Sequence, residues 1–176
     1  MGVFRSKSRI STGKSRLTPL KSRLGRKTQI IAKTPRERRK KGELTKAKLR
    51  VWELCKQITR AECIKNHGKL VCYTSGKTLV FSKDAHTGHY ITSSWCSIEL
   101  RYDLKNLRVQ SYDENINKNG NTLQFRENLI RDHGVEYVDE LWTRNKATKG
   151  RPYLLQWFLD KESAYKALLS TLQASQ

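Results

Sequence analysis

Hydrophobic positions recur at helical spacing over one long run. In "ELTKAKLRVWELCKQITRAE", residues 43–62, the residues Leu44, Ala47, Val51, Leu54, Ile58 and Ala61 fall alternately three and four apart. That spacing puts them on one face of an amphipathic helix and predicts packing against a core. The heptads that would make it a coiled-coil seam are not sustained. Next, "KLVCYTSGKTLVFS" (69–82) holds two β-prone runs, "LVCY" and "TLVF", separated by Thr74, Ser75 and Gly76. This predicts a β-hairpin. "NLRVQSY" (106–112) predicts a further strand, and the Asn- and Gly-rich "ENINKNGN" (114–121) a turn or helix cap. "TLQFRENLIRDHG" (122–134) predicts a helix with Leu123, Arg126 or Glu127, and Ile130 in register, closed by Gly134. "EYVDELWTRN" (136–145) predicts one more turn or short helix. After a polar link, "PYLLQWFLDKESAYKALLSTLQ" predicts one or two terminal helices, with Pro152 at a first helical position.

Residues 1–42 show no sustained period, and there the charge changes the picture. They carry 15 Lys/Arg and one acid, Glu37, within a chain of formal net charge +20. Such a segment buries too little to offset its ordering entropy, which predicts a flexible arm. The excess predicts a polyanionic partner, nucleic acid before any other. Arg36, Arg38, Arg39, Lys40 and Lys41 are its densest cluster. Each phosphate neutralised would release counterions and steepen the salt dependence of binding. No apolar run is long enough to span a membrane, and no secretory signal is expected. Cys55, Cys63, Cys72 and Cys96 therefore read as thiols or metal ligands before disulfides.

The polar stretch "KDAHTGHYITSSW" (83–95) places His86 and His89 three residues apart, beside Asp84. Following the predicted hairpin, and followed by Asn106 and a helix that opens near Asn115, it suggests a ββα-metal arrangement. An imidazole can take a proton from water near neutral pH. A divalent cation can neutralise charge on a phosphate and its departing oxygen. The competing readings are ordinary. His67 and His133 read as polar surface residues, Asn115 as a helix cap, and Asn106 as a turn residue. Trp95 and Trp142 read as core or lid aromatics.

"GHYITSSW", "LRYDLKNLRVQS", "NINKNGN" and "FRENLIRDHGVEYVDEL" follow in order along the chain. Together they resemble the NinG/Rap family of lambdoid phage recombination proteins, collinearly over roughly residues 47–142. The resemblance implies an HNH-like nuclease acting on branched DNA, such as Holliday junctions and D-loops, with Mg²⁺ or Mn²⁺. It implies His89 as general base, with a role as metal ligand left open. Asn106 matches the central Asn of the motif. His86, Asp84 and Asn115 become candidate metal ligands. Arg101, Lys118, Asn121 and Arg126 become candidate DNA contacts. The host bacterial cytoplasm follows as the location, and a homodimer would suit paired cuts.

The departures from the family matter. The resemblance implies two Cys-x-x-Cys knuckles holding a structural zinc. Here Cys72 is kept, while Ser75, Ser111 and Glu114 occupy the other positions. One thiolate, two hydroxyls and a carboxylate suit zinc poorly, so a zinc-free version is expected. Cys63, His67 and Cys72 form the alternative ligand set. The expected architecture is α+β: a basic arm (1–42), an HNH-like domain with flanking helices (43–145) and a C-terminal helical segment (146–176). Two rivals stay open. One is a DNA-binding protein on a decayed nuclease scaffold, and the other is an RNA- or ribosome-associated basic protein.

Overall fold

The computed structural model describes residues 35–80 and 82–174, with side chains for 42–80 and 83–174. Helix α1, Pro35–His67, comes first, then strand β1, Ala85–His89, and the short helix α2, Ile98–Arg101. Strand β2, Leu107–Ser111, and helices α3, Thr122–His133, α4, Val135–Thr148, and α5, Leu155–Ala174, complete the order. The architecture is α+β, mostly helical around one small sheet.

The sheet is an antiparallel pair with His89 opposite Leu107 and Ala85 opposite Ser111. The predicted apolar face of α1 is the buried one. Ala47, Val51 and Ile58 are fully buried. They pack with Tyr102, Leu107, Phe158 and Leu172 in two clusters beneath α5. A third cluster gathers Tyr90, Ile91 and Leu100 with Phe125, Leu129, Val138 and Leu141 of α3 and α4. Burial of these side chains, at roughly 1.5–3 kcal/mol each, is the main force holding the helices to the sheet.

Several expectations need correction. α1 begins at Pro35, so Arg36, Arg38, Arg39, Lys40 and Lys41 lie on a helix, where a flexible arm was expected. Their side chains, and the arm's residues 1–34, lie outside the described residues. The hairpin predicted over 69–82 reduces to a single bridge, Val71 to Thr78. Leu70, Val71, Tyr73 and Leu79 are only partly buried, and Val80 is 81% exposed. The strand lies one step further on, in the stretch that reads as polar. Buried β1 positions are filled by Ala85, Thr87 and Gly88, which give no hydrophobic alternation. In α3 the inward residues are Phe125, Asn128 and Leu129, while Leu123 is 71% exposed. Pro152 precedes α5 and is not its first residue. The boundary expected at 145/146 falls inside α4. α5 packs along α1.

Gly134 caps α3 with φ 87°, as predicted. The "NKNGN" motif has a conformational reason. Asn119, Gly120 and Asn121 all have positive φ, at 50°, 84° and 41°. This is the left-handed region that Gly and Asn tolerate best.

Candidate active site

His89 closes β1 and points into a cavity of about 920 Å³. Thr87 lines it too, because residues two apart on a strand share a face. His86, three residues before His89, falls on the opposite face, where its ring meets the edge of Tyr112. Neither His86 nor Asp84 lines the cavity. The structure therefore separates these two from the candidate base.

α1 supplies the wall behind the imidazole. Trp52 stacks on the His89 ring, with centroids 5.2 Å apart and planes 9° from parallel. The His89 Nε2 lies 3.1 Å from the backbone carbonyl of Arg101. A carbonyl only accepts, so Nε2 is the protonated nitrogen and Nδ1 keeps the free lone pair. Burial is the main cause that drives the His89 pKa down to about 4, with the Arg101 charge adding to it and the carbonyl contact opposing it. The ring is therefore neutral at physiological pH.

Asn115 faces the same cavity from a single π-helical turn, Asp113–Asn117, just after β2. Such turns recur at functional sites because they swing one side chain off the helical register. Among the described residues, the Asn115 amide has no hydrogen-bond partner. Lys48 and Arg101 line the cavity, and no carboxylate among the described residues does. The guanidinium of Arg101 donates to the Ser93 carbonyl, and its Nε is buried without a partner.

Asn106 is fully buried and does not reach the cavity. Its Oδ1 accepts from the Ile91 N–H at 2.8 Å, and its Nδ2 donates to the carbonyls of Ile91 and Leu100 at 3.1 and 3.2 Å. It ties the chain after His89 to the chain before Arg101. Asn106 is a positioning residue.

Gly88 explains the Gly-His pair. A Cβ there would stand 1.8 Å from the Oε1 of Gln110. Gln110 is fully buried, and its Nε2 donates to Gly120 O at 2.8 Å and Thr74 Oγ1 at 3.2 Å. A side chain at Gly88 would break the clasp between β2 and the Asn-Gly-Asn loop.

The knuckle positions do come together. The Cys72 sulfur accepts from the Ser111 N–H at 3.2 Å and lies 3.7 Å from its hydroxyl, and the Ser111 Oγ accepts from Glu114 N–H at 3.3 Å. Hydrogen bonds from Ser75, Thr74 and Ser111 outweigh burial and hold the Cys72 thiol below its usual pKa. Glu114 turns instead to Lys118 at 2.7 Å and Asn121 at 2.6 Å. The Lys118 ammonium, then the Asn121 amide, hold the Glu114 carboxyl below the usual range. Lys118, which is exposed, and Asn121, both candidate DNA contacts, thus bond the buried Glu114 carboxylate. Arg126 is exposed on α3, away from the cavity. Cys63, His67 and Cys72 of the alternative zinc set line one cavity, but they do not stand together as a metal-holding group, and Cys63 is bonded to the backbone of Val71.

Among the described residues, no group of three His, Cys, Asp or Glu stands together to hold a metal ion. The atoms that could hold a divalent cation in the cavity are the Asn115 oxygen, the His89 imidazole and the Thr87 hydroxyl. That hydroxyl is buried without a partner. The set has no carboxylate, so it would hold Mg²⁺ or Mn²⁺ only weakly and would leave most of the coordination to waters and phosphate oxygens. It does not fit a protein cage or a zinc tetrahedron.

The family model described as bacteriophage lambda NinG protein matches residues 7–174. The chain belongs to the NinG family. A curated relative, protein ninG of Enterobacteria phage H19B, is 32% identical over 98 residues, or 56% of this chain and 44% of that protein. The match thus takes in less than half of that relative's length. No solved structure matches the chain. Among the described residues, no helix of this NinG protein is long and apolar enough to cross a membrane.

Sequence reasoning missed Trp52, Lys48, Thr87 and the Arg101 carbonyl. Thr45, Lys48, Leu49 and Trp52 form a second stripe on α1 beside the apolar one, and that stripe was the available signal.

Proposed function

We propose that this NinG protein is a metal-dependent endonuclease with an HNH-like ββα-metal core, acting on branched or single-strand-containing DNA. One observation carries the reading: His89, kept neutral by burial and oriented by the Arg101 carbonyl, shares a cavity with Asn115 across a β-β-turn-helix unit. In this reading the Nδ1 of His89 takes the proton of the attacking water. Lys48 and Arg101 attract the phosphate and stabilise the charge that builds on it. Asn115 would help to hold Mg²⁺ or Mn²⁺. When bound, that ion supplies further neutralisation at the phosphate and the departing oxygen. Cavity and basic segment divide the work, with the N-terminal charge supplying affinity and the cavity supplying geometry.

A second reading has an observation of its own. The cavity lining lacks a carboxylate among the described residues, which favours a DNA-binding protein on a scaffold that no longer cuts. The test is incubation of labelled four-way junction, D-loop, linear duplex and structured RNA with the full chain in Mg²⁺, Mn²⁺ or EDTA. Metal-dependent cutting of the branched DNAs supports the nuclease. Tight binding to them without cutting selects the second reading. Preference for the RNA overturns both.

A further inference from the structure

Trp95 sits at the cavity that holds His89, yet its side chain is 66% exposed. Its backbone, by contrast, is fastened. The N–H groups of Trp95 and Cys96 donate to Thr92 O at 2.9 and 2.8 Å, and Arg101 clamps Ser93 O. Behind the loop, Asn145 accepts from Ser97 N–H at 2.7 Å, and the Thr148 hydroxyl bonds that of Ser97 at 2.8 Å. A large apolar ring on so fixed a loop is presented to solvent, not left there by slack. Leu49 from α1 and Ile116 from the π-helical turn are 63% and 48% exposed and line the same cavity. Three exposed apolar side chains from three separate elements around one site mark a binding surface.

The charges beside this rim select the partner. The Lys149 ammonium lies over one face of the Trp95 ring, 5.0 Å from its centroid, Arg101 stands on the cavity wall, and Lys48 lines the cavity with its ammonium 5.5 Å from the Phe158 centroid. An indole face next to cations fits an unpaired nucleobase on its phosphate backbone. The base stacks on the ring while the cations take the phosphates. A base pair inside a duplex offers its faces only to its neighbours in the stack, so a duplex could reach this platform only through its end pairs.

We infer that Trp95 is a stacking platform for an unpaired DNA base, and that Leu49 and Ile116 complete its apolar seat. Arg101 couples the two halves of the site. Its carbonyl orients His89, and its guanidinium holds the loop that carries Trp95. The platform would therefore select strands that are open beside the scissile phosphate. The inference rests on the nucleic-acid reading of the cavity but not on cleavage.

The experiment is anisotropy binding of a short labelled oligothymidylate, a blunt duplex and an oligouridylate, all in EDTA. It compares the full-length wild type with Trp95→Ala and Trp95→Phe. Stacking on an aromatic ring predicts that Trp95→Ala weakens oligothymidylate binding by about fivefold or more, with duplex binding unchanged. Trp95→Phe should keep most of the affinity, because it keeps a ring. Leu49→Ala with Ile116→Ala should reproduce part of the loss. Unchanged oligothymidylate affinity in Trp95→Ala, an equal loss on duplex, or a loss confined to oligouridylate would overturn the inference. A wild type that grips the oligothymidylate but cuts nothing in metal leaves the inference standing and sinks the nuclease. A wild type that binds none of the three overturns both.

Discussion

The Nε2 of His89 meets the Arg101 carbonyl at 3.1 Å, and that contact fixes which nitrogen of the ring is free. With Trp52 closing one face of the ring, the imidazole is both neutral and oriented before any substrate arrives. If His89 is the base of the proposed reaction, it needs no rearrangement at the moment of reaction, and such preorganisation lowers a barrier.

The pH dependence follows from burial. The folded-state pKa of His89 is depressed to about 4 from an ordinary 6.5. The neutral form therefore persists in acid, and cutting should hold from pH 8 to about 5 and fall only towards pH 4. The same shift makes the fold acid-sensitive. The stability is fully present above the unfolded pKa and is lost as pH falls from about 6.5 through 4, on the order of 3 kcal/mol in all. Thermal melts of wild type and His89→Gln across that window check this, and the variant should lose less.

Trp52→Ala should let water reach the His89 ring and raise its pKa towards 6.5. NMR titration of the His89 ring carbon reads this directly. An unmoved pKa would mean that Trp52 does not provide the burial.

Asn106→Ala leaves three buried backbone groups without their partner, at Ile91 and Leu100. Each unsatisfied group costs about 1–3 kcal/mol, so a loss of several kcal/mol is expected in denaturant melts. Asn106→Asp should also destabilise, because it replaces two donated bonds with carboxylate–carbonyl repulsion.

Gly88→Ala drives a methyl into Gln110. Overpacking of this kind costs about 1–3 kcal/mol, and more if the Gln110 bonds to Thr74 and Gly120 are lost with it. Gly88→Ala combined with Gln110→Ala should recover part of the loss. Additive losses in the double variant would show that the two residues do not collide.

The sequence made the helices legible where burial uses large apolar residues. α1, α3 and α5 follow that rule, although α3 turns Phe125 and Leu129 inward and not Leu123. β1 was hidden because its inward positions hold Ala85, Thr87 and Gly88, whose burial leaves no apolar signature. His89 and Asn115 line one cavity, a proximity that the order of strands and turn brings about. His86 lies on the other face of β1 because a strand has a period of two, which a spacing of three residues does not reveal. The Trp52 contact joins positions far apart in sequence, and only the packing of α1 on the sheet brings it about.

The most direct test of the account is single-turnover cutting of a labelled four-way junction in Mg²⁺ by wild type and His89→Ala, with junction affinity measured alongside in EDTA. The account predicts that the variant binds as tightly as wild type while its cutting rate falls by about 100-fold or more. A variant that cuts at the wild-type rate would remove His89 from the chemistry and contradict the account.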